Sequence, residues 1–461
     1  METKRSSFTG KIGFVLAAAG SAVGLGNIWR FPYLAAQHGG GIFLLTYIIL
    51  ALTFGFALMT AEIAIGRKTG LSAIGAFRAL DKRFSFIGYL GAIVPIIILP
   101  YYSVIGGWVA KYLSVYVTGN GSAAAEITKK VVEGNESTIT FFDTFISKVE
   151  EPLVWFFIFM AATAIVVFFG VEKGIEKVSK IMMPILAILS IVIAVYSVCM
   201  DGAMEGVLYY ITPDFTKFSG TTVLAAMGQL FYSMSLAMGI MITYGSYMKK
   251  DVSIEGSVKQ IEIFDTGIAF IAGLMIVPAV ITTLGADQLG KGPGLMFATL
   301  PQVFEKMPGG HIIGAAFFIL VLFAALTSSI SLMETIVSIF CDKFKWNRNF
   351  SCIFVFILCL LMGVPSSLGF GLWGNVKPIG MDFLSFFDFI SNSVLMPIVA
   401  FCTCIFVGYV LKPSALVEEV ELTGTFKKKK MFSFMIKYVA PICILLILGF
   451  SVLEGMGVIK V

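Results

Sequence analysis

A glycine-rich stretch interrupts the first apolar segment of this chain and constrains the fold more than any other feature. Residues 20–27 read GSAVGLGN inside an apolar run from about Ile12 to Leu34. A membrane-spanning segment is ordinarily unbroken helix, because hydrocarbon cannot satisfy free backbone N–H and C=O groups. An unwound stretch at that depth indicates that the exposed backbone groups hold an ion or a small polar solute.

The composition identifies a membrane protein. Of the 461 residues, 58% are hydrophobic and 13% charged, and the mean hydropathy is +0.92, far from the balance of soluble domains. Since a spanning helix needs about 20 apolar residues, we predict an all-α polytopic protein with eleven spans. They lie near residues 12–35, 41–66, 86–115, 153–170, 177–199, 220–247, 262–285, 310–339, 350–370, 383–411 and 433–453.

The loops predict the orientation. With an internal N-terminus, the basic residues collect on one side, which is then cytoplasmic. The longer, glutamate-containing loop at about 118–151 is predicted to be extracellular. We therefore expect a multi-pass protein of the cell membrane with a cytoplasmic N-terminus. Topology accounts for the net charge of +5. We therefore expect contact with membrane lipids and no nucleic-acid partner.

A second interruption falls in the sixth span. Residues 229–239 read QLFYSMSLAMG and place polar side chains among apolar ones. Two breaks at matching positions of consecutive five-helix blocks are typical of an inverted-repeat transporter with its site between the breaks. Tight helix packing is the alternative explanation of the spacing from Gly20 to Gly24. Packing does not account for Asn27 and Arg30, because polar groups in a membrane are costly and usually functional.

Residues 19–33, AGSAVGLGNIWRFPY, resemble the first-helix signature of the neurotransmitter:sodium symporter family. Further agreement lies at residues 39–41, Glu62, residues 101–102, residues 246–247 and residues 324–329. The resemblance spans the first ten helices, and eleven helices are similar to the prokaryotic branch of bacterial sodium-coupled amino-acid transporters. It implies a 5+5 inverted repeat with helices 1 and 6 broken, with repeats at about 11–199 and 220–411. Residues 1–10 would form a cytoplasmic latch, and 412–461 a cytoplasmic loop with the eleventh helix.

The resemblance implies two sodium sites. The second would use carbonyl and hydroxyl oxygens of Gly20, Val23, Ala324, Thr327 and Ser328. Freed carbonyls suit a hard cation and add no further buried charge. Taken alone, Thr327 and Ser328 would be expected to bond back to their own helix.

The first sodium site would use Ala22, Asn27, Ser233, Asp265 and a carboxylate oxygen of the substrate. Asp265 stands where relatives frequently have asparagine, and Ala269 where chloride-dependent relatives have a serine. We expect Asp265 to replace the anion, so that transport needs no chloride, and to be protonated when the site empties. A structural ion pair between Asp265 and a cytoplasmic lysine is the alternative.

The implied substrate is a neutral hydrophobic or aromatic L-amino acid. Its carboxylate would meet the amides of Leu25 and Gly26 and the hydroxyl of Tyr102, because freed amides favour anions. Glycine at position 24 favours an amino acid, since amine-transporting relatives carry an aspartate there. Carbonyls facing the ammonium would be those of Ala22, Phe231 and Ser233. The side-chain pocket would comprise Val23, Ile98, Tyr232, Ser235, Met238, Ser328 and Leu332.

Gates are expected on both sides of this pocket. Outside, Arg30 would approach Asp388 through water, with Asp382 as the other candidate, and Tyr102 and Tyr232 would form a lid. Inside, the resemblance implies a latch and its partners: Arg5, Phe8, Ser246, Tyr247 and Asp342.

The resulting hypothesis is sodium-coupled symport by alternating access, not enzyme catalysis. Two sodium ions complete the amino-acid pocket, and the sodium gradient drives rocking of the broken-helix bundle. An ion channel and a membrane amino-acid sensor are the alternatives. The oligomeric state does not follow from the sequence.

Overall fold

Long apolar helices dominate the computed structural model, which describes residues 7–132, 135–290 and 294–455. In that part of the chain, nine helices are long and apolar enough to cross a membrane. They are Gly41–Thr69, Lys82–Val117, Glu150–Phe168, Val171–Val198, Ile254–Leu284, Gly310–Phe344, Arg348–Leu368, Phe383–Val410 and Lys429–Leu453.

The other two predicted spans are the interrupted ones. Lys11–Ala22 and Gly26–Gln37 meet at an angle of 52° and would make a tenth span as one unit; we call them the first broken helix. Gly220–Ser233 and Ile240–Ser246 are separated by residues 234–239, and we call them the second broken helix. Both predicted interruptions are therefore present in the helices, while the total of eleven spans and the inverted repeat stay predictions.

Several helices extend beyond the predicted apolar runs. Ile254–Leu284 begins well before the predicted start at 262, because the Ser253 hydroxyl accepts the Gly256 N–H at 3.2 Å. Such a cap satisfies a free backbone donor, and Glu255 in the first turn suits the positive end of the helix. Hydropathy therefore marks only the middle of a helix whose ends are polar.

Shorter elements connect the long helices of this mostly helical chain, and one of them is a small β-hairpin that was not predicted. Strands β1 (Ile127–Val132) and β2 (Asn135–Thr140) form an antiparallel hairpin in the predicted external loop. Its residues are rich in Val, Ile and Thr, which favour extended backbone. The connecting helices of four or more residues are Ala73–Leu80, Gly121–Ala124, Phe141–Ile146, Ala203–Ile211, Leu300–Lys306 and Pro413–Glu421.

The segment after residue 412 packs against the helices that precede it. Arg67, at the end of Gly41–Thr69, pairs with Glu419 of Pro413–Glu421 at 2.8 Å, and both side chains are almost fully buried. Arg67 also donates to the Val252 carbonyl at 2.6 Å. One guanidinium thus joins three segments around the end of that helix.

Candidate functional site

The first broken helix unwinds within the predicted glycine-rich stretch. Helix ends at Ala22, and Val23 is extended at φ −74° and ψ 96°. The Asn27 side chain accepts the Gly24 N–H at 3.1 Å, and the Asn27 N–H donates to the Gly24 carbonyl at 3.2 Å. Asn27 therefore satisfies backbone groups that the missing helical turn would have bonded.

The second broken helix unwinds over residues 234–239, where every second residue has left-handed backbone angles. Ser235, Ala237 and Gly239 have φ of 53°, 59° and 71°. Only glycine adopts this region readily, so Ala237 stores strain there. The Glu62 carboxylate accepts the Ala237 N–H at 2.7 Å. Glu62, part of the family resemblance but without a predicted ligand role, thus holds the unwound segment.

A cavity lies between the two breaks. It is lined by most of the predicted substrate residues: Ala22, Gly24, Leu25, Gly26, Ile98, Tyr102, Tyr232, Ser233, Ser235, Met238, Ser328 and Leu332. Ser21 and Ile240 also line it and were missed. Their positions at the ends of the two interruptions were the available signal.

Two predicted substrate residues do not line this cavity. Val23 is fully buried beside it, where its N–H bonds to the Ala19 carbonyl at 2.7 Å. Phe231 turns its ring toward Phe54, with ring centroids 5.3 Å apart. The Phe231 carbonyl, expected to face the ammonium, accepts the Leu236 N–H at 3.2 Å. The geometry therefore assigns Phe231 to packing and to the turn of the break.

Asp265 lies at the centre of the predicted first sodium site, with three uncharged donors around it. Asn27 Nδ2 and Ser233 Oγ donate to Asp265 Oδ1 at 2.8 and 2.5 Å, and Tyr47 donates to Oδ2 at 2.8 Å. Asp265 is fully buried, and these contacts do not involve the lysine of the alternative prediction. Asn27, Ser233 and Asp265 are thus brought together, and Ala22 lines the adjoining cavity wall.

Tyr47 is a member of this cluster that was not predicted from the sequence. It is fully buried in Gly41–Thr69, and its hydroxyl oxygen also lies 3.2 Å from Ser233 Oγ. A tyrosine hydroxyl inside an apolar span needs a hydrogen-bond partner, and this was the signal that could have identified it.

The predicted second sodium site joins the first broken helix to Gly310–Phe344. Ser328 Oγ donates to the carbonyls of Ser21 and Gly20 at 3.1 and 3.4 Å. Thr327 bonds within its own helix, to the carbonyls of Phe323 and Ala324 at 3.0 and 3.2 Å.

Gly20 lets these two elements approach closely. A Cβ at Gly20 would lie 3.2 Å from Thr327 Cβ, so a larger residue would push the helices apart. The site thus collects hydroxyl and carbonyl oxygens from both elements, a donor set that suits a hard cation.

A chain of serines links both breaks to Gly310–Phe344. Ser21 Oγ lies 3.1 Å from Ser235 Oγ and 2.7 Å from Ser331 Oγ. Ser235 Oγ donates to the Ser21 carbonyl at 3.0 Å, and Ser331 Oγ to the Ser328 carbonyl at 2.8 Å. These buried hydroxyls, which we call the serine chain (Ser21, Ser235, Ser328 and Ser331), connect the moving parts expected of such a fold.

On the predicted outer side, Arg30 covers the cavity together with aromatic rings. Its guanidinium lies 5.5 Å from the centre of the Tyr232 ring. Asp388 is close enough for its charge to act on Arg30. Tyr102 accepts the Leu25 N–H at 3.4 Å.

The two acidic candidates for this gate have different surroundings. Asp388 accepts hydrogen bonds from Tyr101 and Asn392 at 3.1 and 2.6 Å. Asp382 caps its own helix by accepting the Ser385 N–H at 2.9 Å. The geometry therefore favours Asp388 as the partner of Arg30. Tyr101 and Asn392, which orient it, were not identified as gate residues.

On the opposite side, Phe8 closes the interior. It is 1% exposed, its N–H donates to the Tyr247 carbonyl at 3.1 Å, and its ring packs edge-on against Tyr244 and Tyr247. The predicted latch residue Arg5 lies outside the described residues. Asp342 accepts the Ser72 N–H at 2.8 Å, and Ser246 donates to the Thr243 carbonyl at 2.5 Å.

A buried ion pair reinforces this closure. Glu334 is fully buried in Gly310–Phe344 and accepts the Tyr247 hydroxyl at 2.7 Å. Arg348 pairs with both Glu334 oxygens and donates to the Val167 carbonyl at 2.8 Å. This pair was not predicted, although a carboxylate within an apolar span indicates a buried partner.

Comparison with known proteins identifies the family. The sequence model of the "Sodium:neurotransmitter symporter family" matches residues 5–135 and 122–457. A Bacillus subtilis protein described as "Uncharacterized sodium-dependent transporter YhdH" is 34% identical over 457 residues, covering 97% of each chain. A Haemophilus influenzae sodium-dependent transporter is 32% identical, covering 96% of this chain and 97% of that one.

A solved structure agrees with these sequence matches. The crystal structure of MhsT in complex with L-phenylalanine superposes with a TM-score of 0.86 at 39% identity, covering 97% of this chain and 100% of that one. The resemblance noted in the first helix therefore extends over nearly the whole chain. The protein belongs to the sodium:neurotransmitter symporter family, a family of membrane transporters and not of enzymes.

Proposed function

We propose that this protein carries a neutral hydrophobic or aromatic L-amino acid across the cell membrane together with sodium, without chloride, by alternating access. The observation that carries the proposal is the cavity between the two breaks, flanked by the Asp265 cluster and by the oxygens around Ser328. A solute there would sit beside both candidate sodium sites, so that its binding and theirs are coupled.

The space beside Gly24 supports an amino acid over a simple amine. A Cβ at this position would lie 2.7 Å from Ser328 Oγ and 3.2 Å from the Tyr102 hydroxyl. An aspartate side chain there would displace both groups. A substrate that brings its own carboxylate instead places it beside the Tyr102 hydroxyl and the first break.

The walls support an apolar side chain on that amino acid. Ile98, Met238 and Leu332 line the cavity with the ring of Tyr232. Met238 can adapt its shape to different side chains. MhsT, which is similar to 97% of this chain, has been crystallised with L-phenylalanine. An aromatic amino acid is the class of substrate that this apolar pocket suits.

The Asp265 cluster supports independence from chloride. One buried carboxylate provides the negative charge next to the first sodium site that chloride-dependent relatives obtain from an anion. Ala269, one turn later, is fully buried and offers no hydroxyl for an anion. In this proposal Asp265 alternates between sodium-bound and protonated forms.

Orientation and domain roles complete the proposal. The lysine-rich side, where residues 1–10 act as a latch around Phe8, faces the cytoplasm. The core at 11–411 comprises two inverted repeats, and 412–461 adds a cytoplasmic loop and the eleventh helix. The Arg67–Glu419 pair supports a fixed position of that loop against the core.

Uptake into proteoliposomes containing the full-length protein tests this function. We expect labelled L-phenylalanine to accumulate with a sodium gradient, with unchanged rate when gluconate replaces chloride. Unlabelled hydrophobic amino acids should compete, and lysine and glutamate should not.

Two results separate the proposal from its alternatives. A sensor binds the amino acid but gives no uptake, and an ion channel shows no counterflow of labelled against unlabelled substrate. Uptake that persists when potassium replaces all sodium would refute the sodium coupling.

A further inference from the structure

A groove on the membrane-facing surface lies apart from the central cavity. It runs between Gly41–Thr69 and Ile254–Leu284. Leu52 and Ile263 line it and are 48% and 70% exposed. A Cβ at Gly267 would meet nothing within 4 Å, so the groove stays open at its apolar end. In a membrane, these side chains contact acyl chains.

The other end of the groove is charged. Lys259 and Glu262 lie one helical turn apart on the same face of Ile254–Leu284. Lys428 enters from the segment before the last helix, with its Nζ 4.3 Å from the centre of the Phe56 ring and 3.4 Å from the Leu52 carbonyl. Its methylene stem thereby covers apolar surface while the ammonium lies at the edge of the groove.

One carboxylate oxygen of Glu262 has no donor in the described part of the chain. Glu262 is 3% exposed, and among the described residues its Oε1 has no hydrogen-bond partner. The charges that act on it are those of Lys428, Asp265 and Lys259. Lys259 is already bonded to Glu255 at 2.6 Å. A buried carboxyl oxygen without a donor is costly, so the groove presents an unsatisfied acceptor beside two cations.

We propose that this groove binds a zwitterionic aminophospholipid of the leaflet on the lysine-rich side. Its ammonium donates to Glu262, its phosphate lies between Lys259 and Lys428, and an acyl chain follows Leu52 and Ile263. This ligand supplies N–H donors to the buried carboxylate and acceptor oxygens to the lysines at once. Phosphatidylcholine matches the charges but has no N–H, and phosphatidylglycerol offers no cation to Glu262.

Lipid binding to the purified full-length protein tests this site without requiring transport. Native mass spectrometry gives dissociation constants for phosphatidylethanolamine, phosphatidylcholine and phosphatidylglycerol with matched acyl chains. We expect phosphatidylethanolamine to bind most tightly. Glu262→Gln should weaken it about tenfold, as expected for loss of one charge-assisted hydrogen bond, and remove the preference. Glu172→Gln, an exposed carboxylate outside the groove, serves as the matched control.

A second variant keeps the test decisive if Glu262→Gln does not fold. Lys428→Gln should weaken all three phospholipids similarly and leave the order of preference intact. Equal binding of phosphatidylethanolamine and phosphatidylcholine to the unmodified protein overturns the proposal. Unchanged lipid affinities in Lys428→Gln, or unchanged phosphatidylethanolamine affinity in folded Glu262→Gln, also overturn it. Because the readout is binding, failed amino-acid uptake would count against the proposed function and not against this site.

Discussion

Asp265 illustrates how single residues set the chemistry of this protein. Its two carboxylate oxygens accept from Asn27, Ser233 and Tyr47, which belong to three different elements. Such donors stabilise an ionised carboxylate away from water. A cation arriving beside this cluster therefore meets carboxylate oxygens whose positions are fixed before binding.

Asp265→Asn should make transport dependent on chloride. The amide preserves the shape of the side chain and removes its charge, so sodium loses an anionic neighbour. We expect uptake in gluconate to fall on the order of tenfold or more and to recover partly in chloride.

Ser233→Thr, which keeps the hydroxyl, is the control and should remain independent of chloride. Uptake by Asp265→Asn at the unmodified rate in gluconate would contradict the role of this charge.

Tyr47→Phe should weaken the same cluster from the other side. It removes the donor to Asp265 Oδ2 and leaves a buried oxygen without a partner, at a cost of about 1–3 kcal/mol. Thermal unfolding in detergent should show a lower melting temperature and a weaker stabilisation by sodium. Tyr438→Phe, on a ring that is 52% exposed, should change neither. Equal melting curves for the two variants would show that the Tyr47 hydroxyl adds nothing.

At the scale of elements, the second broken helix is held open against its own backbone preference. Ser235 and Ala237 have left-handed backbone angles, which cost about 1–2 kcal/mol for a residue with a side chain. The bond from the Ala237 N–H to Glu62 offsets part of this cost. The break is therefore a strained but anchored structure, typical of functional sites.

Ala237→Gly should relieve this strain and stabilise the protein. The gain of about 1–2 kcal/mol from the left-handed angle exceeds the cost of about 0.4–1 kcal/mol for the flexibility that glycine adds to the unfolded chain. We expect a higher melting temperature. Ala225→Gly, inside helix Gly220–Ser233, is the matched control and should lower it, since glycine disfavours helix by about 1 kcal/mol. A fall in both variants would argue against strain at Ala237.

The elements also show what the sequence could predict. The glycine run and the polar residues at 229–239 located both breaks, because only unwound backbone explains such residues inside apolar spans. The β1–β2 hairpin was missed because it lies in a polar loop without apolar periodicity. Tyr47 and Glu334 were missed because their roles depend on partners more than 80 residues away or in another helix, and a single sequence does not reveal such pairings.

For the whole molecule, packed side chains occupy both of the predicted gates in this structure. Arg30 packs on Tyr232 at the predicted outer gate, and Phe8 is buried near the Tyr247 that bonds to the Glu334–Arg348 pair at the predicted inner gate. Alternating access requires that one closure at a time opens. The Glu334–Arg348 pair is the candidate for controlling its side, because an ion pair with a buried member is costly to break, whereas a fully exposed pair contributes little.

Glu334→Gln should favour opening beside Phe8. The amide can still accept from Tyr247 but leaves the partly buried guanidinium of Arg348 without its counter-charge, which is costly. Hydrogen–deuterium exchange at residues 8–22 should become faster, on the order of tenfold.

Arg83→Gln, which breaks the pair with Asp81 where the arginine side chain is 79% exposed, should leave this exchange unchanged. The same exchange rates in both variants would mean that the buried pair does not control the opening.

The serine chain has a consequence for the movement of the two broken helices that the proposed alternating access requires. A hydroxyl can turn about its C–O bond and give its single proton to a different neighbour without shifting heavier atoms. In each hydrogen bond of Ser21 Oγ with Ser235 Oγ or Ser331 Oγ, either hydroxyl can be the donor. The donor and acceptor can therefore exchange roles as the two broken helices move. The contacts between the broken helices would thus change while each buried hydroxyl still donates to an acceptor.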